Sequence, residues 1–253
     1  MKLIHTVSQK GDLCPVPGVA VNSEVDLQKR IIGGQNCADT ERLYHVALYR
    51  NDDSDPQCGG SLISDQWVLT AAHCWEHGPG WVNTAILGIH PKSATEEIMT
   101  ITDNPVVYID KNGLQHDIML LKLPKKTSIQ QVKLPDCKSP LQNGDKVQLA
   151  GYAATKTGFF KRRKPTTSTP DLQCADFDVV DVQASAQDSE HWFTVQTPKK
   201  DVCYGDSGGG AVHNNRIYGV ISFTFNRKRG CVAPAGIMDV CEYKDWIDKT
   251  ITP

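Results

Sequence analysis

No apolar run in this sequence approaches the roughly 18 residues that a membrane-spanning helix needs. Charge of one sign is lacking too: 27 Lys and Arg face 29 Asp and Glu over 253 residues, a net charge of −2. That balance removes any global argument for a nucleic-acid or membrane-surface partner. Residues 1–20 lack the apolar core of a signal peptide. No Asn-x-Ser/Thr acceptor occurs, so N-glycosylation is not expected. No internal repeat stands out. Nine cysteines are present, yet none forms a CxxC pair. Their wide spacing fits a disulfide framework better than zinc ligation. Disulfides need an oxidising compartment, so an exported, extracellular protein is expected, its leader lying outside these residues. The alternative is a reduced protein with nine free thiols.

What the chain does have is 40% hydrophobic residues and enough length for a sizeable core, in one large or two small domains. Residues 1–30 differ from the rest: Gly11, Pro15, Pro17 and Gly18, scattered charges and little periodicity read as a tail without a core. The tail ends in Lys29-Arg30, followed by Ile31-Ile32-Gly33-Gly34, which reads as a processing site or as a plain linker. From there short strands follow one another: Tyr44–Arg50, Ser61–Ile63, Gln66–Leu69, Ile98–Ile101, Ile118–Leu123, Lys146–Ala150, Val179–Val182 and Ile217–Phe225. Gly, Pro, Asn and Asp clusters separate them, which suggests an all-β barrel or sandwich. Over Val240–Ile251 the apolar residues recur at helical spacing and predict a terminal helix.

One stretch carries chemistry. Asp201-Val-Cys-Tyr-Gly-Asp-Ser-Gly-Gly-Gly210 places Ser207 among small residues that let the backbone turn tightly. The N–H groups of Gly205 and Ser207 could aim at one point, as an oxyanion hole requires. A serine hydroxyl is a poor nucleophile without a base, so a histidine and a carboxylate are expected elsewhere. Taken alone, the stretch is equally a glycine-rich turn. Thr70-Ala-Ala-His73-Cys74 supplies a histidine directly after an apolar strand, and Asp117-Ile-Met-Leu-Leu-Lys-Leu123 a carboxylate at the start of another.

With the Ile31-Ile-Gly-Gly34 start, these motifs closely resemble the trypsin-like, chymotrypsin-fold serine proteases, and their order His, Asp, Ser is that family's. The resemblance runs from Ile31 to the C-terminus. It implies an all-β fold of two six-stranded antiparallel β-barrels with a C-terminal α-helix and the site in the cleft between them. It divides the chain into an activation segment, 1–30, and a protease domain, 31–253. It implies Ser207 as nucleophile, His73 as general base and then acid, and Asp117 as the group that fixes the imidazole. Ser222 matches the serine that supports the buried aspartate. Asp206 would pair with a new α-ammonium at Ile31 once the chain is cut after Arg30, so the sequence reads as a zymogen. The implied disulfides are Cys37–Cys174, Cys58–Cys74, Cys137–Cys241 and Cys203–Cys231, with Cys14 left over. Two family disulfides are missing: one position pair reads Val147 and His213, and the segment of roughly 175–194, expected as a loop beside the pocket, holds no cysteine.

By the same resemblance Asp201 is the floor of a specificity pocket favouring Arg or Lys. The walls disagree with that floor. Thr224 falls where the family keeps glycine, and Ala235, or Gly236 with a one-residue gap, falls at the other wall. Narrowed basic specificity is expected, since a misfit of one or two methyls costs ~1–3 kcal/mol in a packed pocket. Two basic clusters, Lys161-Arg162-Arg163-Lys164 and Arg227-Lys228-Arg229, read as solvated loops or as an exosite for a polyanion or acidic protein segments. No metal or cofactor is implied: the place of the family's calcium loop reads Gly88-Ile-His-Pro-Lys-Ser, without early carboxylates, and Glu96 and Glu97 alone are weak ligands. The expected function is a secreted serine endopeptidase acting on protein or peptide substrates and switched on by another protease. The alternative is a weakly catalytic homologue that binds partners through its basic loops.

Overall fold

The computed structural model describes residues 31, 33–50, 55–75, 83–152, 171–182, 190–198, 200–202, 205–224 and 234–252. Among these, short strands carry nearly all the regular structure. In chain order they are β1 (Gln35–Asn36), β2 (His45–Arg50), β3 (Cys58–Leu62), β4 (Trp67–Thr70), β5 (Asn83–Leu87), β6 (Glu97–Ile101), β7 (Val106–Ile109) and β8 (Gln115–Lys122). The second half continues with β9 (Lys146–Gly151), β10 (Gln173–Asp181), β11 (Trp192–Gln196), β12 (Gly210–His213), β13 (Arg216–Thr224) and β14 (Ala235–Asp239). Helix α1 (Val240–Ile251) ends the chain where the spacing predicts it. Asp239 caps it by accepting the Cys241 N–H, which satisfies one of the donors that a helix start leaves open.

The strands form two antiparallel sheets. The first runs β6-β5-β2-β3-β4-β8-β7. The second runs β9-β10-β11-β14-β13-β12 and closes, because β12 also pairs with β9. These are the two barrel-like sheets and terminal helix that the resemblance implies. Each sheet has seven strands where six were expected. In the second, the extra member is β1, two residues laid against the outside edge of β10 beyond the closed six.

Burial follows from the side chains. In β8, Ile118, Met119, Leu120 and Leu121 are all buried, while Gln115 and Lys122 at its ends are exposed. In β10, Ala175, Phe177 and Val179 face the second core and Asp176 faces water. Strands occupy both ends of 175–194, the segment expected as a loop: β10 runs into it as far as Asp181, and β11 begins at Trp192. Tyr243 and Ile247 of α1 pack into the first apolar cluster together with Trp192 and Met238.

Disulfides Cys37–Cys174, Cys58–Cys74 and Cys137–Cys241 are present, the last tying α1 to the segment between the sheets. Cys14, Cys203 and Cys231 lie outside the described residues. Of the positions without the family's bridge, Val147 is buried and His213 Nδ1 is 2.7 Å from the Lys146 carbonyl. A buried arginine adds a polar tie. Arg42 donates from Nε to Gln148 Oε1 (2.9 Å), from one Nη to Gly210 O (2.9 Å), and from the other to Gln148 O. It thereby joins the approach to β2 with β9 and β12, its charge met by amide and carbonyl oxygens.

Candidate active site

His73 lies in a single 3-10 turn, Ala72–Cys74, directly after β4. The Cys58–Cys74 bridge fixes the end of that turn against β3. Asp117 extends from β8 toward it and holds it twice. Its Oδ1 accepts the His73 backbone N–H at 2.8 Å, and its Oδ2 lies 2.8 Å from His73 Nδ1. A carboxylate can only accept, so Nδ1 carries the proton and Nε2 keeps its lone pair, the tautomer a general base needs. Ser222, on β13 of the other sheet, donates its hydroxyl to Asp117 Oδ2.

The sequence reading missed Glu190. Its Oε1 accepts the backbone N–H of Asp117 at 2.9 Å, so a residue just before β11 steadies a strand of the opposite sheet. Nearby, Tyr243 of α1 accepts the His191 N–H at 3.0 Å and lies 2.8 Å from His116 Nδ1. A single acid 73 positions from its partner leaves no local signal. A groove of about 830 Å³ opens beside His73, with Trp75, Val107, His116 and Glu190 in its walls.

Ser207 is positioned through its backbone. The Gly59 N–H on β3 donates to the Ser207 carbonyl at 2.8 Å, and Thr70 Oγ1 donates to the Gly59 carbonyl at 2.8 Å. Gly208 N–H donates to Ile221 O (2.7 Å), and Gly209 N–H to Asp206 O (3.0 Å). Gly205 and Gly208 have φ of 97° and 79°, a region that glycine enters freely, so the tight turn needs them. His73 Nε2 lies 3.9 Å from Cys74 Sγ, and among the described residues no hydrogen bond joins it to Ser207. Such bonds are commonly long in a substrate-free site and tighten when substrate binds. The first sheet thus presents His73, Asp117 and Gly59, and the second presents Ser207, Ser222 and Glu190.

Asp206 and Ile31 are both fully buried, Ile31 within the apolar cluster of the second barrel. Gly151, at the end of β9, abuts Asp206: a Cβ there would lie 2.7 Å from the carboxylate carbon. Asp201 is half-buried. In the β13–β14 register Thr224 faces Ala235 and Phe223 faces Gly236. Gly236 is the seat of the Phe223 ring, whose Cε2 would lie 2.6 Å from a Cβ built there. Of the two residues weighed for the second wall, the pairing therefore sets Ala235 beside Thr224. Arg30, Lys161–Lys164 and Arg227–Arg229 lie outside the described residues. Cys58, His73 and Cys74 converge like a ligand cluster, but both sulfurs are held in a disulfide and offer no thiolate to a metal.

A family model described as Trypsin matches residues 31–247. Among similar proteins, the trypsin of Xenopus laevis is 32% identical over 255 residues, covering 93% of this chain and 95% of its own. Trypsin-4 of Rattus norvegicus is 31% identical over 249 residues, covering 92% and 95%. Among solved structures, neuropsin, a serine protease expressed in the limbic system of mouse brain, superposes with a TM-score of 0.67 at 24% identity. That match covers 87% of this chain and 99% of the neuropsin chain.

Proposed function

Because this chain belongs to the trypsin family and is a serine endopeptidase, we propose that Ser207, His73 and Asp117 are its catalytic residues and that cutting after Arg30 switches them on. The observation that carries the reading is the double hold of Asp117 on His73, with the Ser222 hydroxyl on the same carboxylate. It presents Nε2 as the base. In this reading Ser207 Oγ attacks the substrate carbonyl while His73 Nε2 takes its proton. The N–H groups of Gly205 and Ser207 stabilise the oxyanion, and His73⁺ returns the proton to the leaving amine. Water then attacks the acyl-enzyme by the same route in reverse, releasing the acid and free Ser207.

Residues 1–30 are the activation segment and 31–253 the protease domain. Burial of Ile31 and Asp206 in the second barrel supports a partnership between a freed Ile31 ammonium and the Asp206 carboxylate. An ion pair in so dry a place holds the turn before Ser207. Asp201 sets a preference for Arg or Lys, narrowed by Thr224 and Ala235. Protein substrates and an activating protease are the implied partners. Three disulfides support an extracellular setting. The alternative of a weakly catalytic binding homologue is not favoured, since the Asp117–His73 hold has no use in a mere binding surface.

The test is labelling with a fluorophosphonate before and after cleavage at Arg30. The cleaved protein labels; the uncleaved protein, Arg30→Gln and Ser207→Ala do not. Failure to label after release of Ile31 would overturn the reading.

A further inference from the structure

We propose that a groove between the inter-sheet segment and α1, away from His73 and Ser207, is an exosite for an acidic, partly apolar peptide segment of a substrate or partner protein. The groove holds about 610 Å³. Its cations come from three distant parts of the chain: Lys133 from the inter-sheet segment, Arg216 from the first position of β13, and Lys244 from the second turn of α1. Among the described residues no carboxylate lines it. The whole chain has a net charge of −2, so three cations in one groove are a local concentration.

The backbone sets two of these residues side by side. Lys133 and Arg216 are partners in an isolated parallel bridge, fixed by the Ile217 N–H on the Lys133 carbonyl at 2.9 Å. Bridge partners send their side chains to the same face, where like charges repel. Two of the three cations find relief elsewhere. Arg216 donates to the Leu134 carbonyl at 2.8 Å, and Lys244 pairs with Asp248 one turn along α1. Asp136, the nearest acid along the segment, has its Oδ1 on the Lys138 N–H. Lys133 forms no ion pair among the described residues. A carboxylate bound over the bridge would meet Lys133, which has no ion-pair partner among the described residues, with Arg216 beside it.

The remaining lining decides the class of ligand. Gln130 and Gln131 offer amides suited to a peptide backbone, and Ile129 and Leu134 offer apolar surface. A sulfated polysaccharide would use the charges and leave that apolar surface wet. Occupancy here needs no working Ser207, so the inference stands apart from the catalytic reading.

The experiment is fluorescence anisotropy with the full chain and a short fluorescein-labelled peptide of glutamates and two leucines. Binding is expected to weaken as salt rises. It should weaken at least ~10-fold in Lys133→Glu/Lys244→Gln and by a smaller factor in Lys133→Gln, while the fluorophosphonate labelling rate of the cleaved protein stays unchanged. A variant with Lys161–Lys164 all changed to Gln should bind as the wild type does. The proposal is overturned by absence of binding to the wild type, by binding that survives the double substitution, or by loss of binding in the loop variant instead. Capture of heparin alone, without the peptide, would overturn it as well.

Discussion

Replacing Gly151 by alanine tests how the serine turn is held in shape. Asp206 is fully buried, and a methyl at Gly151 would lie 2.7 Å from its Cγ, 3.0 Å from its Cβ, and nearer still to Oδ1. The strand cannot easily retreat, because Gly151 pairs with Gln173 of β10. The carboxylate must move instead. Its neighbours Gly205 and Ser207 would move with it, since the Asp206 carbonyl is also fixed by the Gly209 N–H. Overpacking of this kind costs about 1–3 kcal/mol. For a domain of this size each kcal/mol lowers the melting temperature by about 2–4 °C. The larger effect falls on catalysis: a displaced oxyanion donor costs roughly 10²–10³ in rate. The assay is the fluorophosphonate labelling rate after cleavage at Arg30, beside thermal unfolding. Gly113→Ala is the control. It meets nothing within 4 Å but has a φ of +81°, so it should lose stability by about 1 kcal/mol and label normally. Wild-type labelling by cleaved Gly151→Ala would refute the claim that Asp206 holds the turn.

Ser222→Ala removes the hydroxyl donor to Asp117 Oδ2. A hydrogen bond to a charged group is worth about 1.5–3 kcal/mol, so the melting temperature should fall by about 3–12 °C and the labelling rate by ~10-fold or more; an unchanged rate would make that bond incidental to catalysis. Thr224→Gly should raise cleavage after Arg in a peptide-library digest, by ~5-fold if a misfit of about 1 kcal/mol is relieved; equal cleavage would count against a narrowed wall. His45 is buried, and its pKa is pushed down to about 3, first by burial and then by the charges of Arg42 and His90. The unfolded imidazole protonates near ~6.5, so the neutral native form contributes stability that is present above that pH and drains as pH falls toward 3. The loss is about 2 kcal/mol between pH ~6.5 and ~5. In urea unfolding at those two pH values, His45→Gln should close on the wild type by that amount. A constant gap would mean that His45 takes up its proton in the folded state too.

What the sequence showed of the site was what lies within a few residues of itself. The serine turn needs glycines at φ 97° and 79°, and Gly205 and Gly208 sit at those places in one unbroken string. His73 and Asp117 stand at the edges of apolar runs that form β4 and β8. Helix α1 was legible because Val240, Tyr243 and Ile247 repeat at its period and all three are buried. The strands that escaped are short, and most lack a long apolar run: β12 opens on glycine, and β14 has glycine second. Their place comes from pairing, since β12 bridges β9 and β13 and so closes the second barrel.

The supports of the site escaped for a related reason. Gly59, Gly151 and Glu190 each act on a residue far along the chain, Thr70 acts through Gly59, and nothing beside them in sequence announces it. Arg42 and His45 carry the argument further, because both are polar and both are buried. A charged or polar group is taken from water only where acceptors or close packing compensate. Arg42 has its compensation in Gln148 and Gly210, 106 and 168 positions away. The His45 ring packs over Gly59, in the same contact region as the backbone of Gly209, behind Ser207. Apolar periodicity describes how each sheet buries its own face. A site formed where two sheets meet is held by polar and glycine contacts between them, and those follow from the pairing of the sheets rather than from the pattern of either one.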